Sequence, residues 1–153
     1  METLRIAAIM SAPVISLEAD HSLSLANGIM NLQRVRHLPV TRSGRLIGLV
    51  THRDLMAAQA AALAREAGPD EDLSVPVSRI MQTDLLTVTP ETPVLEAARI
   101  MLDHHYGCLP VVEGGLLVGI VTEIDMLRLL VSALERRRVA EGAPRDINVE
   151  GQA

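Results

Sequence analysis

The residues best suited to chemistry stand in one short pattern that the chain carries twice. Gly48-Leu49-Val50-Thr51-His52-Arg53-Asp54 recurs 71 positions later as Gly119-Ile120-Val121-Thr122-Glu123-Ile124-Asp125. In each copy an apolar run predicts a strand, and Thr-x-x-Asp marks its turn into a helix. Free N–H groups and the helix dipole at such a start favour an anion such as phosphate. A carboxylate three residues on can accept two hydrogen bonds from a ribose diol. The same spacing also makes a capping box, which stabilises a helix start with no ligand. The two readings are compatible, because the cap can orient the Asp.

Other reactive residue types are sparse. Asp103-His104-His105 with Cys108 has the look of a metal cluster, but adjacent histidines rarely share one site and no second well-spaced pair accompanies them. The expectation is therefore no metal, with His104 or His105 better suited to lie near a phosphate. The chain has no nucleophile elbow, no P-loop, no HExxH and no cysteine–histidine constellation, so no catalytic residue is assigned and no enzyme is expected.

Composition narrows the partners. The net charge of −5 and pI of about 5.5 argue against a nucleic-acid binder. All 14 basic residues are Arg, and Tyr106 is the sole aromatic. A bound base would therefore sit between aliphatic side chains, with almost nothing to stack on. A single cysteine excludes an intrachain disulfide and fits a reducing compartment. No charged-then-apolar leader opens the sequence, and the longest apolar runs fall short of a membrane span. A soluble, cytoplasmic protein with no membrane contact is expected.

The elements that must position the two Thr-x-x-Asp patterns repeat as well. From Ile9 to Met56 against Ile80 to Leu127 there are 14 identities in 48 gapless positions. Residues 1–9 predict a short lead-in helix. Val14 to Leu17 predicts a strand, and so does Leu85 to Val88. Asp20 or Ser22 can cap a helix whose stripe is Leu23, Ala26 and Met30; Val94, Ala97 and Met101 reproduce it after Pro93. Leu38-Pro39-Val40, the Ser43-Gly44 turn and Arg45 to Val50 predict a hairpin, with Pro39 at an edge or a strand start. A helix follows from His52 to about Ala64. Each half thus reads strand–helix–strand–strand–helix, an α/β (α+β) pattern. The predicted organisation is a first repeat over 1–64, a linker over 65–77, a second repeat over 78–134, and a helix end with a disordered tail over 135–153. About 60 residues make a poor core alone, so the halves are expected to pack through their sheets with approximate two-fold symmetry. That arrangement creates two related clefts.

The repeat resembles a tandem pair of CBS domains, the regulatory Bateman module. The resemblance covers roughly Leu4 to Leu130. It rests on Ile9-Met10 and Ile80-Met81, Leu38-Pro39-Val40 and Leu109-Pro110-Val111, the Gly-turn hairpins, and Gly-x-Val-Thr-x-x-Asp in both halves. It implies sensing of an adenosine-containing ligand: AMP, ADP, ATP, S-adenosylmethionine, or NAD-type or cyclic adenine dinucleotides. Such a nucleotide would be a regulatory ligand, with or without Mg, and no obligatory cofactor is implied. The resemblance further implies a homodimer, Asp54 and Asp125 as ribose ligands, and base pockets at Val14 and Ile15 and at Thr83 and Leu85. With no fused effector, the output is expected through dimer geometry or an unknown protein partner. The alternative is a structural or interaction module that dimerises with degenerate ligand sites.

The copies differ in charge. In residues 9–56 five arginines oppose three carboxylates, whereas in 80–127 Arg99 alone opposes seven. His52-Arg53 at the first helix start is replaced by Glu123-Ile124, and Arg36-His37 by Gly107-Cys108. Guanidinium groups suit phosphate and a nearby Glu opposes it. Phosphate is therefore expected in the cleft of Thr51 and Asp54, aided by Arg53, Arg36 and His37, ahead of that of Thr122 and Asp125.

Overall fold

In a computed structural model of the protein, which describes residues 2–65 and 74–142, each copy of the repeat is built on one hairpin. In the first copy β1 (Leu17–Glu18) precedes α1 (Leu23–Gln33), and then come β2 (His37–Arg42), β3 (Arg45–Thr51) and α2 (His52–Ala64). In the second copy α3 (Val94–His104) leads to β4 (Cys108–Glu113), β5 (Leu116–Thr122) and α4 (Glu123–Ala140). Both hairpins carry a register shift at the same place, between Val40 and Thr41 and between Val111 and Val112. Ser43 and Gly44 take the positive φ that a tight hairpin turn requires, and Gly114 and Gly115 do so in the second copy.

Ser22 caps α1 through a bond from the Leu25 N–H, as expected. Pro93 stands one place before α3 instead of opening it. Both helices end on a left-handed residue that is not glycine: Arg34 at φ 54° and His105 at φ 56°. The strands expected at Val14–Leu17 and Leu85–Val88 are shorter than their apolar residues suggest. The first pairs only as Leu17–Glu18, in parallel with Val40–Thr41, and the second is reduced to a single bridge from Val88 to Val111. Among the described residues no strand pairs with Val14 and Ile15, which line a cavity instead. Because β1 reaches β2 only from Val40 on, Pro39 sits where β2 is still an edge. The expected lead-in helix is one 3-10 turn, Ile6–Ala8. Of the expected linker, residues 66–73 lie outside the described residues, as does the tail from 143.

The strands form one mixed sheet in the order β1-β2-β3-β5-β4, joined between the halves at Arg45 and Leu116. Two hydrophobic clusters fill the halves, and each borrows from the other copy. Ile6, from the lead-in, is fully buried among Val88, Val94, Ala97, Met101, Leu109, Val111 and Val121. Val77, at the repeat-related position, is buried among Leu17, Leu23, Leu38, Val40 and Leu55. Backbone bonds secure both exchanges: Ile6 N–H to Thr92 O and Ala7 N–H to Pro90 O on one side, Val77 N–H to His21 O on the other. The paired motifs now have a physical meaning. Met10 packs on Gly119 and Met81 on Gly48, so closely that a Cβ there would collide with the thioether.

Candidate functional site

The Thr-x-x-Asp patterns form the capping boxes that their spacing predicts. Thr51 accepts from the Asp54 N–H at 3.2 Å, and Asp54 Oδ2 accepts from the Thr51 N–H at 2.8 Å. Thr122 accepts from the Asp125 N–H at 3.4 Å, and Asp125 Oδ2 accepts from the Thr122 N–H at 2.8 Å and the Thr122 hydroxyl at 3.1 Å. Asp125 is buried and Asp54 half-buried. Each cap thus uses Oδ2 and fixes the direction of Oδ1.

A cavity of about 670 Å³ opens between the halves at the start of α4. One wall is apolar, from Val14, Ile15, Val35 and Ile120. Thr122, Glu123, Ile124 and Asp125 line it as well, together with Arg34, Arg36, His37 and Arg128. The cavity is thus assembled crosswise. The predicted base residues of the first copy, Val14 and Ile15, meet the predicted ribose and phosphate residues of the second, Thr122 and Asp125. Arg36 and His37 line it too, and they also stand beside the first copy's helix start as expected: His37 pairs with Thr51 across the β2–β3 hairpin, and the Arg36 carbonyl accepts from the His52 N–H at 2.8 Å. The cause is local: His37 packs against Gly107, where a Cβ would meet the imidazole, and the same turn receives the Glu123 N–H on the Gly107 carbonyl at 3.0 Å. Thr51, Arg53, Asp54, Thr83 and Leu85 are not among the residues that line this cavity. Arg53 and Thr83 are exposed, and Leu85 is half-buried.

Burial lowers the pKa of His37; Glu123 opposes this shift, Arg36 adds to it, and Asp54 opposes it. The imidazole therefore tends towards its neutral form, a hydrogen-bonding group in the cavity lining more than a cation. Burial, reinforced by Glu123, pushes the Cys108 thiol up to about 12, which removes it as a nucleophile. His104 stacks on Tyr106 with ring centroids 5.3 Å apart. Among the described residues no three His, Cys, Asp or Glu side chains are grouped to hold a metal ion, and no helix is long and apolar enough to cross a membrane.

Sequence reasoning missed Arg34, Arg128 and Ser11 as cavity residues. Arg128, 3.5 Å from Asp125 Oδ1, had a legible signal in its i,i+3 spacing on a helix. Arg34 and Ser11 had none, since their place depends on how the halves cross.

The chain matches the CBS domain family over residues 6–61 and 77–132. A CBS domain-containing protein of Dictyostelium discoideum is 36% identical over 132 residues, covering 83% of this chain and 91% of that protein. The CBS domain pair of protein MJ0100, solved with 5′-methylthioadenosine and S-adenosyl-L-methionine, superimposes with a TM-score of 0.73 at 28% identity, covering 86% of this chain and 99% of that one. CBSX2, solved in complex with AMP, gives a TM-score of 0.72 at 26% identity, covering 88% and 98%.

Proposed function

The chain belongs to the CBS-domain family, as a tandem pair, and from that premise we propose that it is a regulatory module that binds an adenosine-containing ligand between its two repeats. The observation that carries the reading is the crosswise cavity, whose lining combines apolar side chains, a helix start with a fixed carboxylate, and three arginines. Its volume lies within the ~300–1,000 Å³ usual for small-molecule sites. The adenine would lie against Val14, Ile15 and Ile120, an aliphatic slot in a chain almost without aromatics. Asp125 Oδ1 would accept from the ribose diol. Arg34, Arg36 and Arg128, with the positive end of α4, would hold phosphate, and His37 would donate or accept at its edge. Glu123 opposes a high phosphate charge, which favours AMP over ADP and ATP.

Binding is proposed to be read through a homodimer. Ile124, Leu127, Val131 and Leu134 form an exposed stripe on α4 at i, i+3, i+7 and i+10, the pattern of a helix with an unpaired apolar face. Ile124 belongs both to that stripe and to the cavity wall. A ligand seated at the start of α4 therefore touches the element that would carry the dimer contact, and shifts dimer geometry by its differential affinity for the two arrangements.

Thermal-shift measurement with AMP, ADP, ATP and S-adenosylmethionine, with and without Mg²⁺, tests the reading. A ligand at 100 times its Kd adds about 2.7 kcal/mol, or roughly 5–10 °C for a chain of this size. Analytical ultracentrifugation should show a dimer that Leu127→Glu with Leu134→Glu dissociates. No shift with any compound, alongside an intact dimer, would leave a dimerisation module with degenerate sites.

A further inference from the structure

The two capping-box aspartates are not equally available, and the difference bears on the nucleotide reading above, on which this inference rests. Gln82 forms a reciprocal backbone bridge with Leu49, at 2.8 and 2.9 Å, which fixes it beside the strand that leads to Thr51. From there its side-chain amide reaches Asp54, with Nε2 3.2 Å from Oδ1 and 3.3 Å from Oδ2. Oδ1, the oxygen that the cap leaves free, thus already has a protein donor.

Ser11 is the repeat-related residue. It makes the same backbone bridge, with Ile120, at 2.9 and 3.1 Å, and it lines the cavity. Its side chain is two carbons shorter and makes no hydrogen bond with Asp125. Among the described residues, Asp125 Oδ1 is partnered by the guanidinium of Arg128 at 3.5 Å, a side chain largely in solvent. Only the arginine end of this pair is exposed, and its long stem is free to swing aside when a ligand group takes its place at the buried carboxylate. A ribose hydroxyl therefore gains a hydrogen bond at Asp125 but must displace one at Asp54, where the released amide is tethered within reach and competes continuously.

We infer that Gln82 is a built-in occupant of the Asp54 carboxylate, and that this glutamine, standing where the other copy has Ser11, restricts the chain to one diol-bearing nucleotide, bound at Asp125. The preference runs opposite to the one that the charge of the two copies suggests, because two of the first copy's five arginines, Arg34 and Arg36, line the second copy's cleft.

Isothermal titration calorimetry with AMP decides it. The full chain should bind one AMP, and Asp125→Asn should weaken that event at least tenfold. Gln82→Ser keeps the backbone bridge and removes the amide; it should raise the stoichiometry to two, as should Gln82→Ala. Adding Asp54→Asn to Gln82→Ser should abolish the second event alone. Two sites in the unmodified chain, or one site still in both Gln82 variants, would overturn the inference and leave the nucleotide reading standing. No AMP binding by any of these proteins would overturn the nucleotide reading, and the inference with it.

Discussion

Ile6→Ala is expected to be among the most destabilising single truncations in the chain, although the residue lies in a lead-in that precedes the first repeat's own elements. Ile6 is fully buried in the second half's core, against Val88, Val94, Ala97 and Met101 from α3 and its approach, and Leu109, Val111 and Val121 from the hairpin. The truncation removes three buried carbons at about 0.8 kcal/mol each. A cavity term adds to this, because the flanking backbone is pinned by the Ile6–Thr92 and Ala7–Pro90 hydrogen bonds and cannot collapse inwards. Together these give about 3–4 kcal/mol, which lowers Tm by roughly 6–15 °C. Thermal unfolding followed by circular dichroism measures the shift. Hydrogen exchange should locate the lost protection in α3 and β4, some 90 residues downstream, and not in α1. A Tm shift below about 2 °C, or protection lost first in α1, would refute the exchange of segments between halves.

Other expectations are narrower. His105 ends α3 at φ 56°, a conformation that costs a side-chain-bearing residue about 1 kcal/mol, so His105→Gly should raise Tm by a few degrees. The depressed pKa of His37 makes its stabilising contribution fully present above the unfolded value of 6.5 and lost as pH falls through the folded value; the loss of Tm between pH 7.5 and 5.5 should be smaller in His37→Gln. Cys108, buried with its thiol pushed up to about 12, should resist iodoacetamide at pH 8 in the folded protein and react once it is denatured. Thr122→Ala removes the cap of α4 and should cost about 1 kcal/mol of ligand-free stability, read as a lower urea midpoint with unchanged slope.

Local structure was legible wherever a short-range rule decides it. Ser22, Thr51 and Thr122 cap the helices that their spacing announces, and the Leu-Pro-Val and Gly-x-Val-Thr runs pair as hairpins around a turn. The repeat itself was legible because its period is gapless. What failed to show was everything set by the crossing of the halves. Val14-Ile15 has the composition of a strand, yet strand propensity supplies no partner, and no strand among the described residues pairs with it. Arg36 and His37 belong by sequence to the first copy, but Gly107 opens a space for His37 that turns them towards the second copy's helix start. Gln82 reads as an unremarkable polar residue after Ile-Met, and only the backbone bridge to Leu49 brings its amide to Asp54. A charge count along the chain does not show that Arg34 and Arg36 of the first copy also line a cavity with the second copy's helix start.

The exchanged lead-ins also describe what one copy of the repeat would be by itself. A single copy would present Ile6, or Val77, with no pocket of its own to fill and a core lacking that same side chain. Two separate copies would satisfy each other, each inserting its lead-in into its neighbour. Joining them in one chain turns that bimolecular association into an intramolecular one, with a millimolar effective concentration in place of whatever level the cell supplies. By the same logic the protein should tolerate a cut between its repeats better than the removal of its first eight residues. Fragments 1–70 and 71–153, mixed at high concentration, carry a complete set of complementary surfaces, whereas the truncated chain lacks one of them at any concentration.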